Sequence, residues 1–199
     1  MRQQHYKKSE VSERALLSAA HSLFVEKGFE KTSIKEIVAA SGLSVGSFYH
    51  HFKSKDDLLS EAFLEFDDQL TDDVIARYDR LDALAAIKAI LLDKTKYSEA
   101  IGPRLMSEYY RVHLQHERMG SISPLRTSYQ AVKNYVEKAQ SLGLLGPEYT
   151  SSSIATYLTK CVRGTVMDWC LHDGSYKLTR KVAAELDFYL LPFLKHAAE

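Results

Sequence analysis

Two helix-start signals stand close together at Ser33 and Ser44, with a helix stop between them at Gly42. Ser33 and Glu36 have the spacing of a capping box, in which serine and glutamate side chains each satisfy a backbone N–H that the first turn leaves open. Ile34, Ile37 and Val38 form the apolar side of the short helix that follows. Ser44 is a good cap for a second short helix with Val45 to His51 as its body, and only about three residues separate the two, which is the spacing of a helix-turn-helix.

The rest of the chain is also read as helix, with no convincing strand alternation. A first helix runs from Ser9 or Ser12 to Lys27, with Leu16, Ala19, Ala20, Leu23 and Phe24 on one face and Gly28 as its stop. From Lys55 a longer helix is expected through Leu58, Leu59, Ala62, Phe63, Phe66, Leu70 and Val74. Further helices are expected at 82–100, 103–119, 124–142, 151–172 and 179–197, punctuated by Gly and Pro. The predicted fold is therefore all-α, with about nine helices. Residues 1–54 form a small helix-turn-helix domain and 55–199 a larger one, with a helix over 55–78 connecting the two.

Composition excludes several alternatives. An apolar content of 45% with 26% charged residues is that of an ordinary globular protein, and no run of apolar residues is long enough to span a membrane. Cys161 and Cys170 have neither the number nor the spacing of a disulfide framework or a zinc site, and the N-terminus lacks the apolar run of a signal peptide, so a reducing cytoplasm is expected. The net charge of zero hides an asymmetry. Residues 1–55 carry nine lysines and arginines against five glutamates, a balance of +4 that leaves −4 for the remainder. A basic head on a neutral chain points to a polyanionic partner.

The head also holds an electrostatic oddity. Ser54, with Asp57 three places on, reads as a cap, yet Lys53 and Lys55 sit at that helix start, where the macrodipole prefers negative charge. Either the lysines are solvated or an outside anion completes the site, and DNA phosphate is such an anion. In a helix-turn-helix the start of the second helix meets base edges, and Ser44, Val45, Gly46 and Ser47 are small enough for close approach. Gly46 costs roughly 1 kcal/mol against alanine inside a helix, which favours a close-contact reason for it. Tyr49 and His50 follow where the helix leaves the bases. Ser33 and Lys35 lie at the start of the preceding helix, where Lys35 either reaches a base edge or phosphate or is solvated. Phe48 and Phe52 are read as core.

The stretch "KGFEKTSIKEIVAASGLSVGSFYHHFKSKDDLL" resembles the signature of TetR/AcrR-type bacterial transcriptional regulators. The likeness covers about residues 10–60 and rests on the ordered elements G-F, T-S, the apolar-G-L-S-x-G turn, Y-x-H-F and K-x-x-L. Val38 and Ser41 stand where the pattern usually has alanine, and Phe48 where leucine or isoleucine is common; these changes concern packing. The resemblance implies three small helices for DNA, a fourth connecting helix, and a C-terminal domain that dimerises and holds an inducer. It also assigns Tyr49 to phosphate contact. Double-stranded operator DNA, a small-molecule inducer and a second copy of the chain are the implied partners, and the expected function is a ligand-responsive regulator, a repressor, with no membrane and no cofactor.

Other chemistries were weighed on the residues. His113 and His116 lie three apart with Glu117 adjacent and could supply two metal ligands, but a surface-facing amphipathic helix explains them equally, and no third ligand is evident. The cysteines carry no activating signature, and no phosphate-cradling Gly loop or nucleophile elbow occurs, so no enzyme is expected. The stripes Ile154, Leu158, Cys161, Val162, Thr165, Trp169 and Val182, Leu186, Leu190, Phe193, Leu194 suffice for a core face and a pairing face. A homodimer through the last two helices is expected, with Leu190 on the pairing side. Pro192 should bend the last helix. Phe66, Met106, Tyr109, Tyr110, Tyr135, Met167 and Trp169 come from helices that the family fold gathers round a pocket, and would suit an apolar or aromatic inducer.

Overall fold

At Gly42 the chain turns left-handed, with φ at +69°, and the helix ends there in a Schellman motif: Leu43 N–H donates to Val38 O (3.0 Å) and Gly42 N–H to Ala39 O (3.3 Å). A residue with a Cβ would be strained in that region, so the turn is glycine's. This turn belongs to a computed structural model, which describes residues 2–62, 67, 70–115 and 123–195, with side chains from Ser9 onward and Ala62 excepted. Ten α-helices lie among the described residues. They are α1 (Arg2–Lys27), α2 (Ile34–Ser41), α3 (Val45–His51), α4 (Lys55–Ala62), α5 (Asp72–Asp79), α6 (Ala83–Ile101), α7 (Pro103–Gln115), α8 (Thr127–Ser141), α9 (Ser151–Leu171) and α10 (Leu178–Leu190).

The single helix expected over 55–78 is not what forms. Thr71 is extended (φ −70°, ψ 167°), and a separate helix starts at Asp72. The cause is legible afterwards: a threonine followed by Asp72 and Asp73 is a helix start, since both carboxylates favour the positive end of the dipole. The last helix also differs. It ends at Leu190 and passes into a 3-10 turn, Leu191–Phe193, because Pro192 has no N–H to continue the ladder.

The chain divides into two compact units: Met1–Glu65 with Arg104–Ser121, and Phe66–Pro103 with Ile122–Glu199. In the first, α1 packs on α2, α3 and α4 around Leu16, Ala20, Phe24, Phe29, Ile37, Phe48, Phe52, Leu58 and Leu59, all essentially solvent-free. The Phe24 and Phe29 rings are tilted at 5.1 Å and those of Phe48 and Phe52 at 5.8 Å, within the range of favourable aromatic pairs. Side chains tie down carbonyls in and beside the loop between α1 and α2. The Thr32 hydroxyl donates to Gly28 O (2.9 Å) and reaches Leu23 O (3.3 Å), while the Lys55 ammonium donates to Phe29 O (2.7 Å) and Thr32 O (2.9 Å).

In the second unit α6, α8, α9 and α10 pack on one another, with α5 against α6. Ile87, Ile90, Leu91, Val136, Ile154, Leu158 and Leu186 fill the centre. The start of α10 has no cap from its own side chains. Instead Glu99 of α6 accepts from Leu178 N–H (2.8 Å) and from the Thr179 hydroxyl (2.6 Å). Leu190, expected on a pairing face, is 2% exposed and belongs to the subunit's own core.

Candidate nucleic-acid interface

The two caps that frame the helix-turn-helix form as expected. Glu36 N–H donates to Ser33 Oγ (3.3 Å), and Ser33 N–H and hydroxyl both donate to Glu36 Oε2 (2.8 Å each). Lys27 donates to the other carboxylate oxygen (2.9 Å), and this bond with the serine contacts holds the Glu36 pKa down at about 2. Ser33 is thus engaged in building the helix start, and its hydroxyl proton points inward to Glu36. At α3, Ser47 N–H donates to Ser44 Oγ (3.1 Å), so Ser44 is likewise a cap.

Phe48, fully buried, orients α3 and leaves its other faces outward: Ser44, Val45, Gly46, Tyr49 and His50 are exposed and Ser47 partly so. Tyr49 touches Phe48 edge-on (5.3 Å) and is 57% exposed. Of the adjoining histidines, His50 points out, while His51 turns in towards Glu13 (3.8 Å). A Cβ built on Gly46 would meet only Ser44 Oγ, at 3.7 Å, an ordinary contact. Nothing inside the protein therefore requires glycine at 46. Lys35 and Lys53 extend into solvent, and Lys53 N–H donates to Asp57 Oδ2 (2.8 Å).

Lys55 resolves differently from the expectation of an outside anion. Its ammonium is used within the protein, on the two loop carbonyls and over the Phe29 ring at 4.2 Å. The wrong-signed helix start is a clamp reaching back to a loop 23 and 26 residues earlier in the chain, and the local dipole is served by Asp56 and Asp57. The same ring carries the Arg111 guanidinium at 5.7 Å, and Arg111 in turn bonds Glu108 (2.7 Å) and approaches Glu30 and Asp56 at 3.7 and 3.9 Å.

Of the seven residues expected to gather round an inducer, six are described, three in each unit. Phe66 lies outside the described residues, as does His116 of the two-histidine pattern. Met106, Tyr109 and Tyr110 belong to the first unit, the first two buried, with the Tyr109 ring 4.0 Å from that of His113. In the second unit Tyr135 gives its hydroxyl to Asp79 (2.9 Å), and Trp169 gives its N–H to Tyr176 O (2.9 Å). Met167 is 38% exposed. Positions two apart on a helix point some 200° apart at about 100° per residue, so Trp169 and Met167 could not share one lining.

A polar group that the sequence reading did not single out lies in the second unit. Arg126 Nε bonds Asp67 Oδ2 (2.8 Å) with both side chains nearly buried, and Asp67 Oδ1 is buried with no hydrogen-bond donor among the described residues. Lys94 reaches Ser128 Oγ at 3.4 Å. A signal was available: Lys94 falls on the same face of α6 as Ile87, Ile90, Leu91 and Ile101, all buried. Among the described residues no cluster of His, Cys, Asp or Glu could hold a metal, and no helix is long and apolar enough to cross a membrane.

A short helix anchored by one phenylalanine, capped by serine and bare on its outer face has the form that a helix-turn-helix presents to DNA. Residues 16–62 match the family described as bacterial regulatory proteins, tetR family. A transcriptional repressor of Rhodococcus jostii, KstR2, is 30% identical over 124 residues, 58% of each chain. The chain thus spans less than two thirds of that relative. The regulator AcrR of Shigella flexneri is 26% identical over 92% of both chains. Among solved structures, Thermus thermophilus FadR in complex with lauroyl-CoA has the same fold, with a TM-score of 0.72 at 14% identity, covering 94% of this chain and 97% of that one. SmeT, the repressor of the Stenotrophomonas maltophilia efflux pump SmeDEF, has a TM-score of 0.66 at 21% identity, covering 93% and 91%.

Proposed function

We propose that the protein is a ligand-responsive transcriptional repressor acting as a homodimer on a palindromic operator, with residues 1–54 as the DNA-binding domain and 55–199 as the effector and dimerisation domain. The observation that carries the reading is the bare outer row of α3. Ser44, Val45, Gly46 and Ser47 would meet base edges in the major groove, and Tyr49, His50, Lys53 and Lys35 the flanking phosphates. Glycine at 46 has its reason outside the chain: the protein leaves room there for a side chain, and a base edge would not.

Pairing is assigned to α9 and α10. Tyr157, Gly164, Met167 and Leu171 share one face of α9 at helical spacing, and all are exposed, as are Phe188 and Leu191. A Cβ on Gly164 would touch nothing, so a partner helix could approach closely there. A two-fold dimer places the two heads on half-sites one helical turn apart, roughly 34–36 Å. That a fold neighbour was solved with lauroyl-CoA supports an effector role for a small molecule.

The test is a gel shift with the duplex upstream of the protein's own gene, against an unrelated duplex, at near-physiological salt. One discrete complex on the first, weakened by Tyr49→Phe with Lys53→Ala, is expected. Equal binding to both duplexes refutes the reading.

A further inference from the structure

The outer row of α3 lacks the side chains that most sharply tell one base from another. Ser44, Val45, Gly46, Ser47, Tyr49 and His50 make up the row, and none is an arginine, lysine, asparagine, glutamine or acid. Bidentate pairs to guanine or adenine, and acceptance from the cytosine amine, are therefore not available along it. Its hydroxyls and its imidazole make single hydrogen bonds, and a hydroxyl can donate or accept, so these groups discriminate weakly. Ser44 is constrained further, since its Oγ already accepts from Ser47 N–H at 3.1 Å.

Val45 differs from its neighbours in chemistry. It is 43% exposed, whereas the apolar residues around it turn inward: Val38 and Phe48 are buried and Leu43 is half-buried. Leu43 and Phe48 occupy the two positions of a hydrophobic staple about the Ser44 cap, so the start of α3 is anchored without Val45. A β-branched residue is also a poorer helix former than alanine, so helix propensity does not select valine here. Tyr49, four residues on, lies within about 40° of Val45 round the helix, and its ring rests edge-on against Phe48. Beside this ridge Gly46 carries no side chain, and a Cβ there would meet only Ser44 Oγ.

Among the base edges of the major groove one group is apolar, the C5-methyl of thymine. We infer that Val45 reads a thymine in each operator half-site by enclosing that methyl, and that this contact, not a hydrogen-bonded pair, is the main base discrimination α3 makes. The inference rests on the proposed DNA-binding reading and names what that site recognises. Valine and thymine methyls that meet leave water together, whereas cytosine at the same place presents only a hydrogen and leaves the valine wet. Sealing one methyl is worth about fourfold in affinity, and two half-sites together about fifteenfold. The contact is uncharged, so the preference for thymine should be the same at low and high salt while affinity for every duplex falls as salt rises.

The test uses the full chain and a duplex selected by it from a randomised pool at near-physiological salt. Each thymine of that duplex is replaced in turn by deoxyuracil, which pairs identically and lacks only the methyl, and dissociation constants are read by fluorescence anisotropy. Wild type should show one thymine per half-site at which the replacement weakens binding about fourfold, and about fifteenfold when made in both halves. Val45→Ala should bind the thymine duplex about as weakly as wild type binds the uracil duplex, and should be indifferent to uracil at those positions. A C·G pair placed there should be bound better when its cytosine carries a 5-methyl group, because that restores the methyl alone. Wild type that tolerates uracil at every thymine, or Val45→Ala that keeps the full uracil penalty, overturns the inference and leaves sequence-selective DNA binding standing. A selection that enriches no sequence refutes the DNA-binding reading and the inference together.

Discussion

Lys55→Met separates two readings of the same residue. If Lys55 met phosphate, its loss would leave the fold alone and flatten the dependence of log K on log salt by about 0.9 per contact, so about 1.8 for two heads. The structure gives the ammonium to Phe29 O and Thr32 O and to the face of the Phe29 ring. A hydrogen bond from a charged donor contributes about 1.5–3 kcal/mol and an exposed cation–π contact about 0.5–1 kcal/mol. Methionine keeps the stem and recovers some side-chain entropy, and these contributions do not add in full, so a net loss of about 2–4 kcal/mol is expected. For a chain of this length that is about 5–15 °C in melting temperature. Circular dichroism follows the melt. Amide exchange should show where the loss falls, with the amides of residues 29–33 and of α2 opening first. The salt slope should stay unchanged. An unaltered melt with a slope reduced by about 1.8 would falsify the clamp.

Gly46→Ala should stabilise α3 by up to about 1 kcal/mol while weakening operator binding, and a variant that binds as well as wild type removes the close-contact reason for glycine. Met167→Arg should yield a folded monomer by sedimentation, whereas Leu190→Arg should unfold the chain, Leu190 being core; a dimeric Met167→Arg protein would place the interface elsewhere. Lys94 releases its proton near pH 8 when folded, well below its ordinary value, because of desolvation first and then Arg126 and Arg163, with Asp67 opposing. The unfolded chain then binds more protons between about pH 8 and 10.5, so stability should rise with pH across that window, and the difference between wild type and Lys94→Met should show that rise. Glu36, held at about 2 when folded, contributes stability present above its unfolded value near pH 4.5 and lost as pH falls towards 2; Glu36→Gln should flatten the acid side of the stability profile measured against wild type.

The head was legible because its signals are local. Ser33 with Glu36, Gly42 and Ser44 each act within four residues, and the structure forms every one of those caps. Lys55 shows the limit. Its position at a helix start is local, but its partners lie 23 and 26 residues away, and no periodicity points to a carbonyl in a preceding loop. The break at Thr71 was missed because apolar residues at three- and four-residue steps continue across it, so period outweighed the start signal at Thr71-Asp72-Asp73. Trp169 and Tyr135 have their polar atoms satisfied within the second unit. The Arg126–Asp67 pair joins residues 59 apart in the chain, and no local pattern points to it, whereas Lys94, set among buried aliphatic residues, betrays itself in sequence.

Glu99 ties two jobs to one rod. It lies five residues beyond Lys94 on α6, and its carboxylate is what satisfies the start of α10. A ligand that pulls α6 along its axis must either drag the beginning of α10 with it or strand an amide, a hydroxyl and a half-buried carboxylate without partners. Stranding a charged acceptor costs more than about 1–3 kcal/mol, so small displacements of α6 are passed on to α10 and are not absorbed locally. Converting Glu99 to glutamine would keep the shape of this coupling and weaken its grip, loosening the link between the two helices without disturbing the core.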